Sequence, residues 1–162
     1  MPSPSEGERQ RRRVALLMAL AALLGAVENL MPAPLPWFRL GLGNAMVLAA
    51  LALWGFRAGV FVALGKVVVG GLVTGKLLTP GFFLALGGSA ASVVLMAGGL
   101  LVVPALGFIG VSVLGSAAHC AAQLVLAQYL VLGTEGVWLF GPFFGLLSLV
   151  SGVVTGCAAS WL

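Results

Sequence analysis

The sequence predicts an all-α integral membrane bundle of about six transmembrane helices, and three observations carry that prediction. Apolar residues make up 61% of the 162-residue chain and charged residues only 7%, where a soluble domain carries about 25% charged. Apolar stretches recur along the whole chain at lengths near the roughly 20 residues that a spanning helix needs. What interrupts them is proline, glycine and isolated charge, the residues that end helices or mark a membrane boundary.

The elements follow in order. Residues 1–13 read as a basic N-terminal tail, with Glu6 and Glu8 against Arg9, Arg11, Arg12 and Arg13, and residues 14–162 as a single transmembrane domain. The first span is 14–30, closed by the turn Met31-Pro32-Ala33-Pro34-Leu35-Pro36. A basic segment before an apolar run also has the outline of a secretory signal peptide. No small-residue cleavage site follows, however, and the rest of the chain is equally hydrophobic. The second span is 40–56, closed by Arg57, and the third is 58–73, which carries Lys66 and leads into Thr74-Gly75-Lys76 and Thr79-Pro80-Gly81. These two are short and separated by one charge, so a tight hairpin or a partly re-entrant pair is the alternative to two full spans. The fourth, fifth and sixth are 82–103, 105–132 and 137–162.

Basic residues are retained on the cytoplasmic side. With the N-terminus inside, Arg9, Arg11, Arg12, Arg13 and Arg57 are cytoplasmic, and Arg39 and Lys76 lie outside. That distribution predicts a multi-pass protein of the bacterial cell (inner) membrane with a cytoplasmic N-terminus, and an even number of spans returns the C-terminus to the same side. The lipid bilayer is thus its first partner, and the positive balance is not a nucleic-acid signature.

Composition also excludes chemistry. The four acids are all glutamates, Glu6, Glu8, Glu28 and Glu135, and there is no aspartate. A site that holds magnesium and diphosphate through clustered carboxylates is therefore ruled out. No Walker sequence is present, since Gly75-Lys76 is followed by Leu77, so energy must come from an ion gradient or from partner subunits. Cys120 and Cys157 lie in apolar runs and form neither a disulfide framework nor a metal spacing. One histidine without Glu or Cys at ligand spacing predicts no metal, and no cofactor is expected.

Polar groups inside a bilayer are costly and each needs a reason. Glu28, Asn29, Asn44 and Lys76, with Arg39 between them, fall near the outer ends of the first three spans and together line an outward-facing pocket in one reading. In the other, Glu28 and Asn29 cap a helix end while Arg39 and Lys76 anchor at the interface. Ser112, Ser116, His119 and Gln123 follow at intervals of four, three and four, which puts them on one helical face. Such a stripe faces a cavity or another helix, not lipid. His119 and Gln123 are candidates for a ligand wall, suited to hydrogen-bonding a heterocycle or polar head, and the serines for packing. Lys66 either snorkels toward the cytoplasmic interface or pairs with an internal carboxylate. Ala15 and Ala19, Ala22 and Ala26, Gly71 and Gly75, Gly141 and Gly145, and Gly152 and Gly156 are small-xxx-small pairs, which bring helix backbones close.

Leu40-Gly41-Leu42-Gly43-Asn44, Gly71-Leu72-Val73-Thr74-Gly75, and the run Gly110-Val111-Ser112-Val113-Leu114-Gly115-Ser116-Ala117-Ala118-His119-Cys120-Ala121-Ala122-Gln123 resemble the Gx transporter family, also labelled heptaprenyl diphosphate synthase component I. The resemblance covers nearly the whole chain after residue 13, with a departure at Cys120, where the family usually carries Asn. That family is similar to the S components of energy-coupling factor (ECF) vitamin transporters, small six-helix membrane proteins. The resemblance implies a substrate-binding component that takes a small vitamin-like or precursor molecule from the outer side. It also implies partner ATPases and a coupling subunit, docked on Ala15, Ala19, Ala22 and Ala26 of the first helix. Glu28, Asn29, Asn44, Lys76, His119 and Gln123 are then the expected substrate-binding residues.

The two family labels make opposing claims. Lacking aspartate, the chain is no self-sufficient prenyl chain elongation enzyme, although a membrane accessory subunit of heptaprenyl diphosphate or quinone biosynthesis remains compatible with its residues. A membrane subunit of a quinone- or flavin-linked electron-transfer complex is a third class, for which no haem, flavin or iron–sulfur ligation pattern is visible.

Overall fold

The computed structural model describes residues 5–28 and 41–161. Six helices follow one another: α1 Glu6–Glu28, α2 Asn44–Trp54, α3 Phe56–Val73, α4 Pro80–Val102, α5 Gly107–Ala127 and α6 Gly141–Ser160. Among the described residues there is no strand. A single turn of 3-10 helix at Pro104–Leu106, two turns at Glu135–Phe140, and a π turn at Gln128–Leu132 extend the ends of the longer helices. Four segments are long and apolar enough to cross a membrane: Phe56–Val73, Pro80–Val102, Gly107–Leu132 and Glu135–Ser160. The chain is a helical membrane protein.

Helix α1 begins inside the stretch that reads as a tail. Ser5 and Glu8 form a capping box, in which the Glu8 amide donates to Ser5 Oγ (3.3 Å) and the Ser5 amide donates to Glu8 Oε2 (3.0 Å). Glu6 and Glu8 sit in the first turn, where acids favour the helix dipole, and Arg9 to Arg13 ride on exposed turns. The apolar part of α1 is only fourteen residues, about 21 Å at 1.5 Å per residue.

Helix α2 is the structural centre. All eight residues from Asn44 to Leu51 are buried, so this helix is apolar on every side and enclosed by its neighbours. It packs on α1, α3, α4, α5 and α6. Its 11 residues give a length of about 16 Å, against about 34 Å for α4, so α2 fills only about half the depth of the bundle. Leu48, Val47 and Ala50 of α2 join Val62 and Ala63 of α3, Val93 and Met96 of α4 and Val111 of α5 in the main core. At its C-terminal end Gly55 adopts φ +80°, a left-handed conformation open to glycine. That single residue turns the chain into α3, so the second and third segments form a tight helical hairpin.

The remaining boundaries follow local chemistry. Gly75 (φ +66°) and Leu78 (φ +62°) turn the chain after α3. Thr79 then caps α4 by accepting the Phe82 amide (3.3 Å), with Pro80 in the first turn. Helices α4, α5 and α6 form the most extensive contacts. At the α5–α6 seam a methyl group on Gly152 would lie 2.5 Å from Val113 Cα, and one on Gly156 would lie 2.7 Å from Ile109 Cα. This small-xxx-small pair therefore packs within the chain. Gly141 and Gly145 face open space.

Candidate functional site

The start of α2 lies beside the later turns of α1, α3 and α5 and the first turns of α4. A partly open cavity of about 60 Å³ sits there, lined by residues of all five helices or their ends. Its polar lining is Glu28 of α1, Lys66 of α3, Ser89 of α4, and His119 and Gln123 of α5; Gly41 and Gly43 form the floor. Glu28 is 7% exposed, Gln123 5% and His119 9%. Burying polar groups this deeply in an apolar bundle is costly unless each is engaged, and several are held in place.

Glu28 accepts hydrogen bonds from the amides of Gly41 (3.2 Å) and Leu42. A carboxylate thus sits at the N-terminal entrance of α2, at the positive end of its dipole, and it ties the end of α1 to the start of α2. The Lys66 amine donates to Oδ1 of Asn44, the first residue of α2. His119 lies face-on against α4: a methyl on Gly88 would meet its Cε1 and Nδ1 at 2.9 Å and its Nε2 at 3.0 Å. Only glycine leaves room for the imidazole there. The Ser89 hydroxyl, 1% exposed, is buried with no hydrogen-bond partner, as are those of Ser92 and Ser116. An unpaired buried hydroxyl on a cavity wall offers one donor and one acceptor to whatever enters.

The sequence-derived residues distribute as follows. Glu28, His119 and Gln123 line the cavity together, and Asn44 sits beside it through Lys66. Lys76 is exposed in the turn after α3 and is not among the lining residues. Asn29 and Arg39 lie outside the described residues. The polar stripe of α5 is buried throughout and divides in function. Ser112 meets Thr155 of α6 at 2.6 Å and is a packing contact, whereas His119 and Gln123 reach the cavity. Cys120 turns instead toward α6, its thiol donating to the Phe144 carbonyl at 3.7 Å. Of the α1 alanines, Ala15 and Ala19 are exposed, Ala26 is half-buried, and Ala22 is buried and lines the cavity.

Lys66, left in sequence between snorkelling and an internal pairing, is a cavity residue that the expected binding set lacked. It neither snorkels away nor stands alone, but points at the start of α2. The available signal was depth: Lys66 follows Arg57 by nine residues, about 13 Å along α3, which puts it in the second half of that helix. Ser89 was invisible because nothing distinguishes it from other helix serines in sequence.

Taken together, this is a helical membrane protein whose described helices bring polar side chains around a small pocket at the start of a short central helix. The chain belongs to the heptaprenyl diphosphate synthase component I family, whose model matches residues 17–162. No curated protein and no solved structure matches it.

Proposed function

We propose that the chain is a non-catalytic, membrane-embedded binding component, acting as the accessory partner of a separate catalytic component in heptaprenyl diphosphate synthesis. The observation that carries the binding role is the convergence of Glu28, Lys66, Ser89, His119 and Gln123 on one small cavity. The family name supports the synthase context, and the absence of aspartate supports assigning chain elongation to the partner. In the bilayer, α1 adds to the four long segments as a span whose arginine stems reach the boundary. The N-terminus is cytoplasmic and α2 is a half-depth internal helix.

A second reading has an observation of its own. The cavity lies at the end of the bundle opposite the arginine-rich start of α1, which is the outer end in that orientation. There it suits capture of a small vitamin-like molecule by an S-component-like protein that depends on ECF ATPases and a coupling subunit, with Ala15 and Ala19 free for docking. Since drug-sized ligands occupy roughly 300–1,000 Å³, capture of such a molecule in about 60 Å³ requires the helix ends to move apart.

Purification of the tagged chain in mild detergent, with mass spectrometry of both proteins and small molecules, tests the pair. A co-purifying prenyltransferase supports the first reading. ATPase subunits with a retained small molecule, lost on His119→Leu or Gln123→Leu at unchanged expression, replace it with the second.

A further inference from the structure

We propose a second site, on another face of α3 from the polar cavity and with its charged end away from it, that binds one anionic phospholipid. Along the outer face of α3 runs an apolar groove of about 540 Å³ lined by Phe56, Val60, Phe61, Leu64 and Val68, with Arg57 as its one charged wall. From Arg57 to Val68 the helix rises about 16 Å, and one leaflet of a roughly 30 Å hydrocarbon core is about 15 Å deep. The groove is therefore one acyl chain long, with its cation at the headgroup level. Phe56 and Phe61 are more than half exposed and stand beside Arg57 in the manner of an interfacial aromatic belt.

Charge selects the headgroup. The end of the bundle where α1 begins and α2 gives way to α3 carries Arg9, Arg11, Arg12, Arg13 and Arg57, all exposed, against Glu6 and Glu8. A polar groove of about 330 Å³ formed by Arg9, Gln10, Arg13, Glu6 and Trp54 lies on the other side of the Gly55 turn. A phosphate on Arg57 thus sits in a positive field that favours an anionic over a zwitterionic lipid. The site is independent of the polar cavity, with which it shares no lining residue.

The test uses the full-length protein in nanodiscs of equal phosphatidylglycerol and phosphatidylethanolamine, released for native mass spectrometry. One retained phosphatidylglycerol per chain is expected. Arg57→Gln should lower its retention about fivefold, the effect of one basic residue near an anionic surface, while Arg57→Lys keeps most of it. Leu64→Trp fills the groove and should displace the lipid with every arginine in place. Equal retention of the two lipids by the wild-type chain overturns the proposal whatever the variants do. So does a Leu64→Trp protein that keeps its phosphatidylglycerol, or a dimer that covers the groove in the released sample.

Discussion

Gly152→Ala is the substitution for which the structure makes the sharpest demand. The new methyl would lie 2.5 Å from Val113 Cα, 2.9 Å from Val113 Cγ2 and 2.9 Å from Val113 N. Two of those atoms are backbone, so no rotamer change relieves the clash. Carbon atoms rest at about 3.5–4.0 Å, so α5 and α6 must separate by about 1 Å at this point. The Ser112–Thr155 contact, 2.6 Å across the same seam, is then stretched out of hydrogen-bond range. Overpacking of this kind costs about 1–3 kcal/mol, which lowers the unfolding midpoint of a chain this long by about 2–12 °C.

The control is Gly145→Ala, in an equally apparent small-xxx-small pair with nothing within 4 Å. There the exchange should be neutral or stabilising by up to about 1 kcal/mol, because alanine restricts the unfolded chain and favours helix. The assay is thermal unfolding of both purified variants in one detergent, followed by circular dichroism. Equal midpoints for Gly152→Ala and Gly145→Ala would refute the α5–α6 packing and the register it imposes on His119 and Gln123.

Four further outcomes follow from the same geometry. Gly88→Ala pushes its methyl into the His119 ring at 2.9 Å and should destroy ligand retention, measured by mass spectrometry, while Gly87→Ala meets only the tip of Leu126 and should leave it intact. Lys66→Met leaves the buried Asn44 amide without its donor and should cost about 1–3 kcal/mol; adding Asn44→Leu should cost less than the sum of the two single changes in the same unfolding assay. Glu28→Ala strips the Gly41 and Leu42 amides of their acceptor and should lose about 1.5–3 kcal/mol, with Glu28→Gln intermediate because one acceptor oxygen remains. Ser112→Ala should stay within about 1 kcal/mol, since Thr155 Oγ1 still donates to the Ser151 carbonyl at 2.8 Å.

Much of the architecture was legible because composition and punctuation are local signals. Low charge and recurrent apolar runs announce membrane helices, Thr79-Pro80 announces the start of α4, and the 4-3-4 spacing of Ser112 to Gln123 announces a buried face. What stayed hidden depends on which helix meets which. Gly141-Gly145 and Gly152-Gly156 are indistinguishable as strings, yet only the second is pressed against a neighbour. Ala15 and Ala22 share a motif and a face, yet one is exposed and the other lines the cavity. Lys66 and Lys76 show the same limit: Lys76, expected at the pocket, is exposed in a turn, whereas Lys66, for which snorkelling and an internal pairing stood as alternatives, lines the cavity. The capping box at Ser5 and Glu8 was a readable local signal, obscured by treating every residue before the apolar run as a tail.

The half-length α2 is the feature that connects these cases. A central helix that spanned the bilayer would fill the bundle with apolar side chains and leave no interior for Glu28, Lys66 or His119. With α2 beginning only at Asn44, the neighbouring helices bring Glu28, Lys66, His119 and Gln123 together around a pocket, at positions where a lipid-facing polar group would be penalised. The polar groups then do double service. Glu28 and Lys66 each fasten the start of α2, through Leu42 and Gly41 in one case and Asn44 in the other, so the same contacts that define the cavity also fix the helix that starts beside it. A ligand that engages either charge must compete with a structural bond. In the proposed binding role, occupancy of the cavity would therefore be coupled to the position of α2, which touches every other helix of the bundle, and a partner docked on any of them would have a mechanical route to it.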